Sequence, residues 1–311
     1  MILVNPHSFR MTSRNRLQRI DQLAHTHGLP LYAVHGPDEI AAALADGAPG
    51  PDDRLIIIGG DGTLQAAISR LAGRAQNGLA PTLCMLGGGR TNFTARDLGS
   101  HNRLLQSLEH LLAQASWKST QRRVLRINSS KHGALYGFFI AGALVDAIIR
   151  DCHNYRARSR GWLRTGHAAT PWRLAQLAAL GLTGRTGFVL PDLQISADRL
   201  GVMSGRTRIL LVSSLQHDSG SLDPYADRGK GEVRLTAIHG QASAFWRRLP
   251  ALLSGRFRPE QTTATGYLSG RTGRLQITGL PSICLDGQEY ALDATQTLDI
   301  QPGPAFRFLQ P

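Results

Sequence analysis

The segment Leu55–Thr63 carries the residues in this chain whose types and spacing most clearly suggest a chemical role. It reads Leu-Ile-Ile-Ile-Gly-Gly-Asp-Gly-Thr, and a helix-forming stretch, residues 64–72, follows it. Glycines let backbone N–H groups approach a ligand, and the helix N-terminus behind them attracts anions. A carboxylate in such a cradle suits Mg²⁺ that bridges to phosphate. The segment therefore predicts a phosphate-binding turn built by Gly59, Gly60, Asp61, Gly62 and Thr63.

The alternative for this segment is a purely structural strand-to-helix turn in which Asp61 caps the helix. We favour the phosphate-binding interpretation because the strand, the glycines, the acid and the hydroxyl occur together in the right structural context.

Alternating strand and helix patterns in the first third of the chain must position this turn. Aliphatic strand patterns occupy residues 2–4, 31–34, 55–58 and 82–86, with helical patterns between them. Such alternation predicts an open parallel sheet with helices on both faces. Ligands bind beyond the carboxyl ends of strands in this architecture. Because Asn5-Pro6 and the glycine cluster 87–89 also follow strands at that edge, we expect one site to use all three segments.

The pattern changes near residue 120, where short strand-like segments separated by Gly, Asp and Ser turns begin. They predict an antiparallel β domain, which we expect to be a sandwich. The predicted fold class is thus an α/β N-terminal domain with an open, mostly parallel sheet, plus a C-terminal antiparallel β-sandwich domain. We assign residues 1–120 to the first, onto which the C-terminal tail can pack back. We assign residues 121–311 to the second, with a basic helical insert at about 150–185.

The charge of the chain restricts its partners. Lys plus Arg outnumber Asp plus Glu by 35 to 22, a formal net charge of +13. Such a surface attracts nucleic acid, anionic membranes or phosphorylated substrates. We expect no nucleic-acid partner, because no recognition module is visible. No apolar run approaches the ~20 residues of a membrane span. With no secretory signal pattern and no paired cysteine spacing, we expect a cytoplasmic protein that is at most peripheral at the membrane.

Two N-terminal segments resemble signature motifs of diacylglycerol kinase-type lipid kinases, the family that includes sphingosine and ceramide kinases. Gly59–Thr63 is similar to G-G-D-G-T, which NAD kinases share. Asn5–Phe9 resembles the N-P-x-S-G start of the lipid kinase branch, with Phe9 in place of glycine.

Two further segments carry the same resemblance. Gly89–Gly99 looks like the second glycine loop, G-T-x-N-D-F-A-x-x-L-G, with Arg90 at the threonine and Phe93 at the aspartate. Leu285–Glu289 resembles the C-terminal D-G-E motif, with Gln288 at the glutamate. Because the motifs occur in the family order, the resemblance spans nearly the whole chain and favours the lipid kinase branch.

The resemblance implies an ATP-dependent kinase that transfers the γ-phosphoryl group to a hydroxyl of diacylglycerol or a related lipid. ATP and Mg²⁺ are the expected cofactors, and a lipid substrate and an anionic membrane surface are the expected partners. The sequence leaves a homodimer open. Asp61 is the expected metal ligand. The expected nucleotide-binding residues are Asn5, Gly59, Gly60, Asp61, Gly62, Thr63, Gly88, Gly89, Thr91 and Asn92.

The resemblance also implies that Asp286 is the general base for the lipid hydroxyl. The structural alternative is an ordinary hairpin turn, since Asp-Gly between apolar runs is a common turn signal. Gln288 retains hydrogen bonding but lacks the charge of the family glutamate. Glu289, one position later, is the second catalytic candidate, although in a strand it would face the other side.

The insert at about 150–185 is the predicted membrane contact. Arginines such as Arg158, Arg160 and Arg164 alternate with Trp162, Trp172 and leucines. This composition suits contact at the level of lipid headgroups, whereas the alternative is a helix packed on the β domain with solvated arginines.

Two other functions stay open at this point. One is a kinase for a soluble hydroxyl compound such as NAD. The other is a lipid- or nucleotide-binding protein that has lost catalysis, which Phe93 and Gln288 suggest. Lys230 suggests it too, because Lys230-Gly231 stands where the family has a metal-associated Asp-Gly before a strand of the β domain, so that structural metal site is expected to be absent or altered. The acceptor lipid is not identified by the sequence.

Overall fold

A computed structural model describes residues 1–11, 13–89, 93–100, 103–114, 117–158, 189–216 and 223–310. Its N-terminal part alternates strands and helices. The strands β1 to β4 are Ile2–Val4, Leu31–Ala33, Arg54–Gly59 and Thr82–Gly87. The helices α1 to α5 are Arg14–Thr26, Pro37–Asp46, Asp61–Gln76, Phe93–Asp97 and Leu104–Ala113.

These four strands form a parallel sheet in the order β4-β3-β1-β2, as the alternating pattern predicts. The run of isoleucines in β3 is buried on both of its faces, which explains why this strand lacks polar alternation. Ile57 packs in a core with Leu64 of α3, while Ile56 packs in a second core with Ile20 of α1. Helices therefore cover both faces, and the carboxyl ends of the strands lie at one edge.

Antiparallel strands dominate the rest of the described chain, as predicted. The strands β5 to β9 are Ser119–Ser129, Gly133–Gly137, Phe139–Ala143, Asp192–Ala197 and Gly201–Ser213. The strands β10 to β15 are Val233–His239, Tyr267–Thr272, Leu275–Thr278, Ser282–Leu285, Gln288–Ala291 and Leu298–Leu309. The helices that accompany them within the described residues are α6 (Leu144–Arg158) and α7 (Phe245–Leu253).

The long strand β9 links the two layers of this antiparallel region. Its first half, through Arg206, pairs with β8, and its second half pairs with β7 and β10. Side chains from both layers, among them Leu125, Ile195, Val212 and Ile283, share one buried core. The antiparallel β-sandwich class is thereby confirmed.

The last strand joins the two parts of the molecule. β15 runs antiparallel to β5 and also pairs in parallel with β4 through Phe308 and Leu83. The pairing with β5 shifts register between Pro302 and Ala305. The domain boundary near residue 120 stays a prediction.

The predicted basic insert falls mostly on residues 159–188, which lie outside the described part of the chain. Among the described residues, no helix is long and apolar enough to cross a membrane.

Candidate active site

The turn between β3 and α3 is closed by its own backbone. Gly60 O accepts hydrogen bonds from Thr63 N at 3.0 Å and Leu64 N at 3.2 Å, which start the helix directly after the glycines. A Cβ atom added to Gly59 would lie 2.7 Å from Thr63 Oγ1. The turn therefore has no room for a side chain at Gly59, and Asp61 occupies the first turn of α3.

The second glycine loop packs directly against this turn. Gly88 N donates to Gly59 O at 2.6 Å, and Arg10 N donates to Gly88 O at 2.8 Å. A Cβ atom on Gly60 would lie 3.6 Å from Gly89 Cα. The segments that follow β1, β3 and β4 thus meet at one sheet edge, as expected for a site at the carboxyl ends of parallel strands.

Asn5 connects the first segment to the turn through its side chain. Asn5 Nδ2 donates to Thr63 Oγ1 at 3.1 Å, and Asn5 Oδ1 accepts from His7 N at 2.9 Å. Its backbone N–H donates to Ile58 O at 2.9 Å, so hydrogen bonds fix both the backbone and the side chain of Asn5.

A cleft of about 480 Å³ opens beside Asn5 and the turn. It is lined by Asn5, His7, Ser8, Phe9, Gly60, Gly62, Thr63, Gly89 and Gln288. Two predicted nucleotide-binding residues, Thr91 and Asn92, lie outside the described residues.

Asp286 lies in the tight turn between β13 and β14. Its φ of 47° is left-handed, and Gly287 follows with φ 85°, the geometry that Asp-Gly hairpin turns favour. Its carboxylate accepts hydrogen bonds from Phe138 N at 2.8 Å and Phe139 N at 3.0 Å, while its own N–H donates to Phe139 O at 2.9 Å. Phe138 connects β6 to β7, and Phe139 is the first residue of β7. The Asp286 carboxylate is therefore fixed by a part of the chain that is distant in sequence.

The environment of Asp286 changes its acidity. The residue is 6% exposed, and this burial raises the pKa of its carboxyl group to about 8, against the opposing effect of the Phe138 N–H. The negative charge of Asp61 raises this pKa further. The structure therefore brings Asp61 and Asp286, from the two halves of the chain, close enough to interact. A group with this pKa can exchange a proton near neutral pH.

A hydrogen-bond network that the motifs did not predict holds Gln288 at the cleft. Gln65, 3% exposed on α3, donates to Tyr136 O at 3.0 Å and to the Tyr290 hydroxyl at 3.3 Å. Tyr290 in turn donates to Gln288 Oε1 at 3.3 Å. Gln288 Nε2 lies 2.9 Å from the position of a Cβ atom on Gly62. The one sequence signal was that Gln288 and Tyr290, two residues apart in a strand, face the same way.

The structure places Glu289 outside the lining of the cleft. Glu289 is exposed, and strand alternation directs it to the face of β14 opposite Gln288. Its charge raises the pKa of Asp146 and of Cys284, which lie on that side, where burial is the main cause of both shifts. Asp146 accepts a hydrogen bond from Ser282 Oγ at 2.7 Å. A catalytic role for Glu289 therefore stays a prediction from the sequence alone.

The donor set of the site fits a magnesium ion that arrives with a nucleotide. Within the described residues, no group of three or more His, Cys, Asp or Glu side chains could hold a metal. Mg²⁺ needs no such cage, since it keeps several waters and binds one or two carboxylates plus substrate phosphates. Asp61, beside a turn that has no room for a side chain at Gly59, meets that requirement.

A substitution at the turn tests the cradle directly. We expect Gly59→Ala to weaken nucleotide binding by about 5- to 150-fold, because its Cβ would displace Thr63, and an overpacked site costs about 1–3 kcal/mol. Calorimetric titration with ATP and Mg²⁺ measures this loss. The matched control is Gly73→Ala, also on α3, where an added Cβ meets nothing within 4 Å. Equal affinity of both variants would contradict the assigned cradle.

Comparison with known proteins agrees with this geometry. Residues 1–121 match the family model of the diacylglycerol kinase catalytic domain. A search of curated proteins finds no match. A diacylglycerol kinase structure from Bacillus anthracis str. Sterne is similar, with 14% identity, a TM-score of 0.61, and 99% of this chain and 95% of that chain covered.

Two further structures from Bacillus anthracis str. Sterne, provisionally named diacylglycerol kinases, are also similar. One has 13% identity and a TM-score of 0.67, covering 99% of this chain and 93% of that chain. The other has 14% identity and a TM-score of 0.64, covering 100% of this chain and 96% of that chain. At such identities the likeness shows a shared fold, whereas the family match rests on sequence. Residues 1–121 therefore resemble the diacylglycerol kinase catalytic domain in sequence, and the chain shares the fold of these structures.

Proposed function

We propose that this protein is an ATP-dependent lipid kinase, which transfers the γ-phosphoryl group of ATP to a hydroxyl of diacylglycerol or a related lipid. The observation that carries the proposal is the position of Asp286. A buried carboxylate with a raised pKa interacts with Asp61, which lies in a glycine cradle at a helix N-terminus. Phosphoryl transfer needs this combination of a phosphate site and a base for the acceptor hydroxyl.

The N-terminal part of the proposed site binds and orients the nucleotide. Backbone N–H groups of the glycine turn and the N-terminus of α3 attract the phosphates. The Asn5 amide and the Thr63 hydroxyl, hydrogen-bonded to each other, line the same cleft. Asp61 would hold Mg²⁺, which when bound neutralises the charge that develops on the phosphates.

The C-terminal part supplies the base. The acceptor oxygen attacks the γ-phosphorus, the bond from that phosphorus to the bridging oxygen breaks, and the hydroxyl proton passes to Asp286. Two backbone N–H groups fix the Asp286 carboxylate while leaving lone pairs to accept that proton. The Gln288 amide, held by Tyr290, is a neutral group at the cleft and adds no negative charge against the phosphates.

The acidity of Asp286 predicts the pH dependence of the reaction. The base must be deprotonated, and burial raises its pKa to about 8. We therefore expect kcat/KM for the lipid to rise with pH through an apparent pKa near 8 and then to level off, since kcat/KM reports groups of the free enzyme. Initial rates measured from pH 5.5 to 9.5 in buffers of constant ionic strength check this. A plateau that begins below pH 6 would contradict the assignment of the base.

The identity of the phosphorylated acceptor distinguishes a lipid kinase from a kinase that acts on a soluble substrate. An assay with ATP and Mg²⁺ should offer diacylglycerol, ceramide, sphingosine and NAD at equal concentration, with products identified by mass spectrometry. A phosphorylated lipid as the main product supports the proposal. NADP as the main product would favour the soluble-substrate kinase, and ATP binding without any product would favour a binding protein.

The proposed location follows from the proposed substrate. A kinase acting on membrane lipids works at a membrane surface, and we place this one in the cytoplasm as a peripheral protein. The charge of +13 supports contact with an anionic leaflet.

A further inference from the structure

Four arginines surround a shallow depression beside α7. The depression is lined by Arg247, Arg248, Ala251, Arg256, Phe257 and Arg258. Among the described residues, the one acid in ion-pair contact with it is Glu260, 4.0 Å from Arg248 and 3.9 Å from Arg258. We call Arg247, Arg248, Arg256 and Arg258 the α7 arginine cluster. With Glu260 counted, four positive charges less one leave a net charge of +3 on this surface.

Several strands of the sheet separate the cluster from Asp286. Phe139, which binds Asp286, pairs with Ser213 of β9, and Ser213 pairs with Arg234 of β10. Arg234 pairs in turn with Arg271 of β11, and Arg228, which accepts from Arg271 N, donates to the backbone oxygen of Arg258 in the cluster. The cluster is therefore separate from the candidate active site.

The loop that carries two of the arginines is fixed by hydrogen bonds to Gln261 and Arg228. Gln261, 4% exposed, accepts from Arg258 N at 2.7 Å through its side chain. Arg228 donates to Gln261 O at 2.6 Å and to Arg258 O at 2.5 Å. The backbone at Arg258 is thus preorganised, which lowers the entropic cost of binding a ligand there.

The helix itself has two different sides. Phe245 and Leu252 are buried in a small core on the β sheet. Leu253 is 36% exposed, and Phe257 is half-buried beside the arginines. Arginines around partly exposed apolar side chains are typical of surfaces that lie at the headgroup level of a bilayer.

We propose that the α7 arginine cluster is a docking surface for an anionic lipid membrane. The inference rests on the proposed function, because it brings a lipid kinase to the surface that holds its substrate. Charge complementarity argues for this partner: a net +3 spread over a helix and a loop matches a plane of lipid phosphates. The apolar side chains among the arginines would enter the headgroup layer.

Vesicle cosedimentation of the full chain tests the proposal. The wild type should bind phosphatidylcholine vesicles that contain phosphatidylglycerol, and bind pure phosphatidylcholine weakly. Replacing Arg247, Arg256 and Arg258 by Gln should lower the affinity for the anionic vesicles by on the order of 100-fold, at about fivefold per arginine near the surface. Added salt should weaken wild-type binding in the same direction.

The matched control removes the same charge elsewhere. Arg19→Gln, Arg70→Gln and Arg199→Gln together change exposed arginines outside the cluster and should leave the affinity within a few-fold of the wild type. An equal loss in both triple variants, or no loss in the α7 variant, would overturn the proposal. A loss confined to a variant with Arg158, Arg160 and Arg164 changed to Gln would overturn it too, and place the contact on the predicted insert.

A second readout separates this proposal from the proposed function. The α7 triple variant should retain wild-type activity on diacylglycerol dispersed in nonionic detergent micelles, because no residue of the cleft is changed. Vesicle binding is measured without turnover, so a protein without kinase activity would refute the proposed function and leave the docking result intact. Loss of micellar activity in the folded variant would place the cluster in the reaction itself and overturn a docking role.

Discussion

Asp286→Asn is expected to lower the rate of lipid phosphorylation by about 10²–10⁴-fold, the usual contribution of a general base. Asparagine keeps the size of the side chain but accepts no proton at neutral pH. ATP affinity should change little, because the nucleotide is assigned to residues of the N-terminal part. Steady-state rates with saturating ATP and a separate ATP titration measure the two effects. The matched control is Asp198→Asn, an exposed carboxylate on the surface, which should leave the rate unchanged.

Thermal unfolding provides an independent check on Asp286. Burial raises the pKa of this group above its ordinary value of 3.8, so folding favours its protonated form. The contribution of protonated Asp286 to the free energy of unfolding is complete below about pH 4 and is lost as the pH rises through about 8. The midpoint of wild-type unfolding should therefore fall more steeply between pH 5 and 9 than that of Asp286→Asn. If Asp286→Asn loses ATP binding together with lipid phosphorylation, Asp286 has a structural role instead of acting as the base.

Asp61→Asn is expected to lower the rate by at least about 10²-fold, since one preorganised electrostatic contact at the transferring group contributes this much. The loss should appear as weaker Mg²⁺-dependent ATP binding, measured by calorimetry with and without the metal. The fold should persist, because losing one charge at a helix N-terminus costs only about 0.3–1 kcal/mol. Asp38→Asn removes an exposed carboxylate from the first turn of α2 and serves as the matched control.

The Asp61→Asn variant also tests the electrostatic effect of Asp61 on the pKa of Asp286. The negative charge of Asp61 raises the pKa of Asp286, so its removal should shift the rise of the remaining activity with pH to lower pH. A rise at unchanged pH would show that the two carboxylates do not interact. Near-wild-type turnover in Asp61→Asn would remove the metal-binding role from this residue.

Much of the N-terminal architecture was predictable, because its strands are continuous aliphatic runs and its helices have amphipathic patterns. The isoleucine run of β3 and the glycines behind it fix a buried strand, a turn and a helix within residues 54–76. The convergence of Asn5 on Thr63 follows from the rule that parallel strands end at one edge.

The C-terminal strands were harder to predict where local signals conflict with the fold. β15 contains Pro302 and Pro304, which read as a loop, yet a register shift between Pro302 and Ala305 lets the strand continue. α7 was missed as well, because Pro250 lies inside it and proline usually ends a helix. Tertiary packing of Phe245 and Leu252 on the sheet outweighs those local preferences.

The electrostatics of the site were not accessible from the sequence at all. The motif suggested Asp286, but its burial and its bonds to Phe138 and Phe139 depend on pairing between segments nearly 150 residues apart. The network from Gln65 to Gln288 likewise joins α3 to β14. Such contacts are set by tertiary structure, and spacing along the chain carries no record of them.

The central claim is that this protein moves the γ-phosphoryl group of ATP to a lipid hydroxyl. Its most direct test is to incubate the protein with γ-labelled ATP, Mg²⁺ and diacylglycerol in mixed micelles and to follow the label into the extracted lipid. The account predicts that label appears in phosphatidic acid with the wild type and is strongly reduced with Asp61→Asn and Asp286→Asn. Label that stays in ATP or inorganic phosphate with the wild type, or equal labelling of lipid by all three proteins, would contradict it.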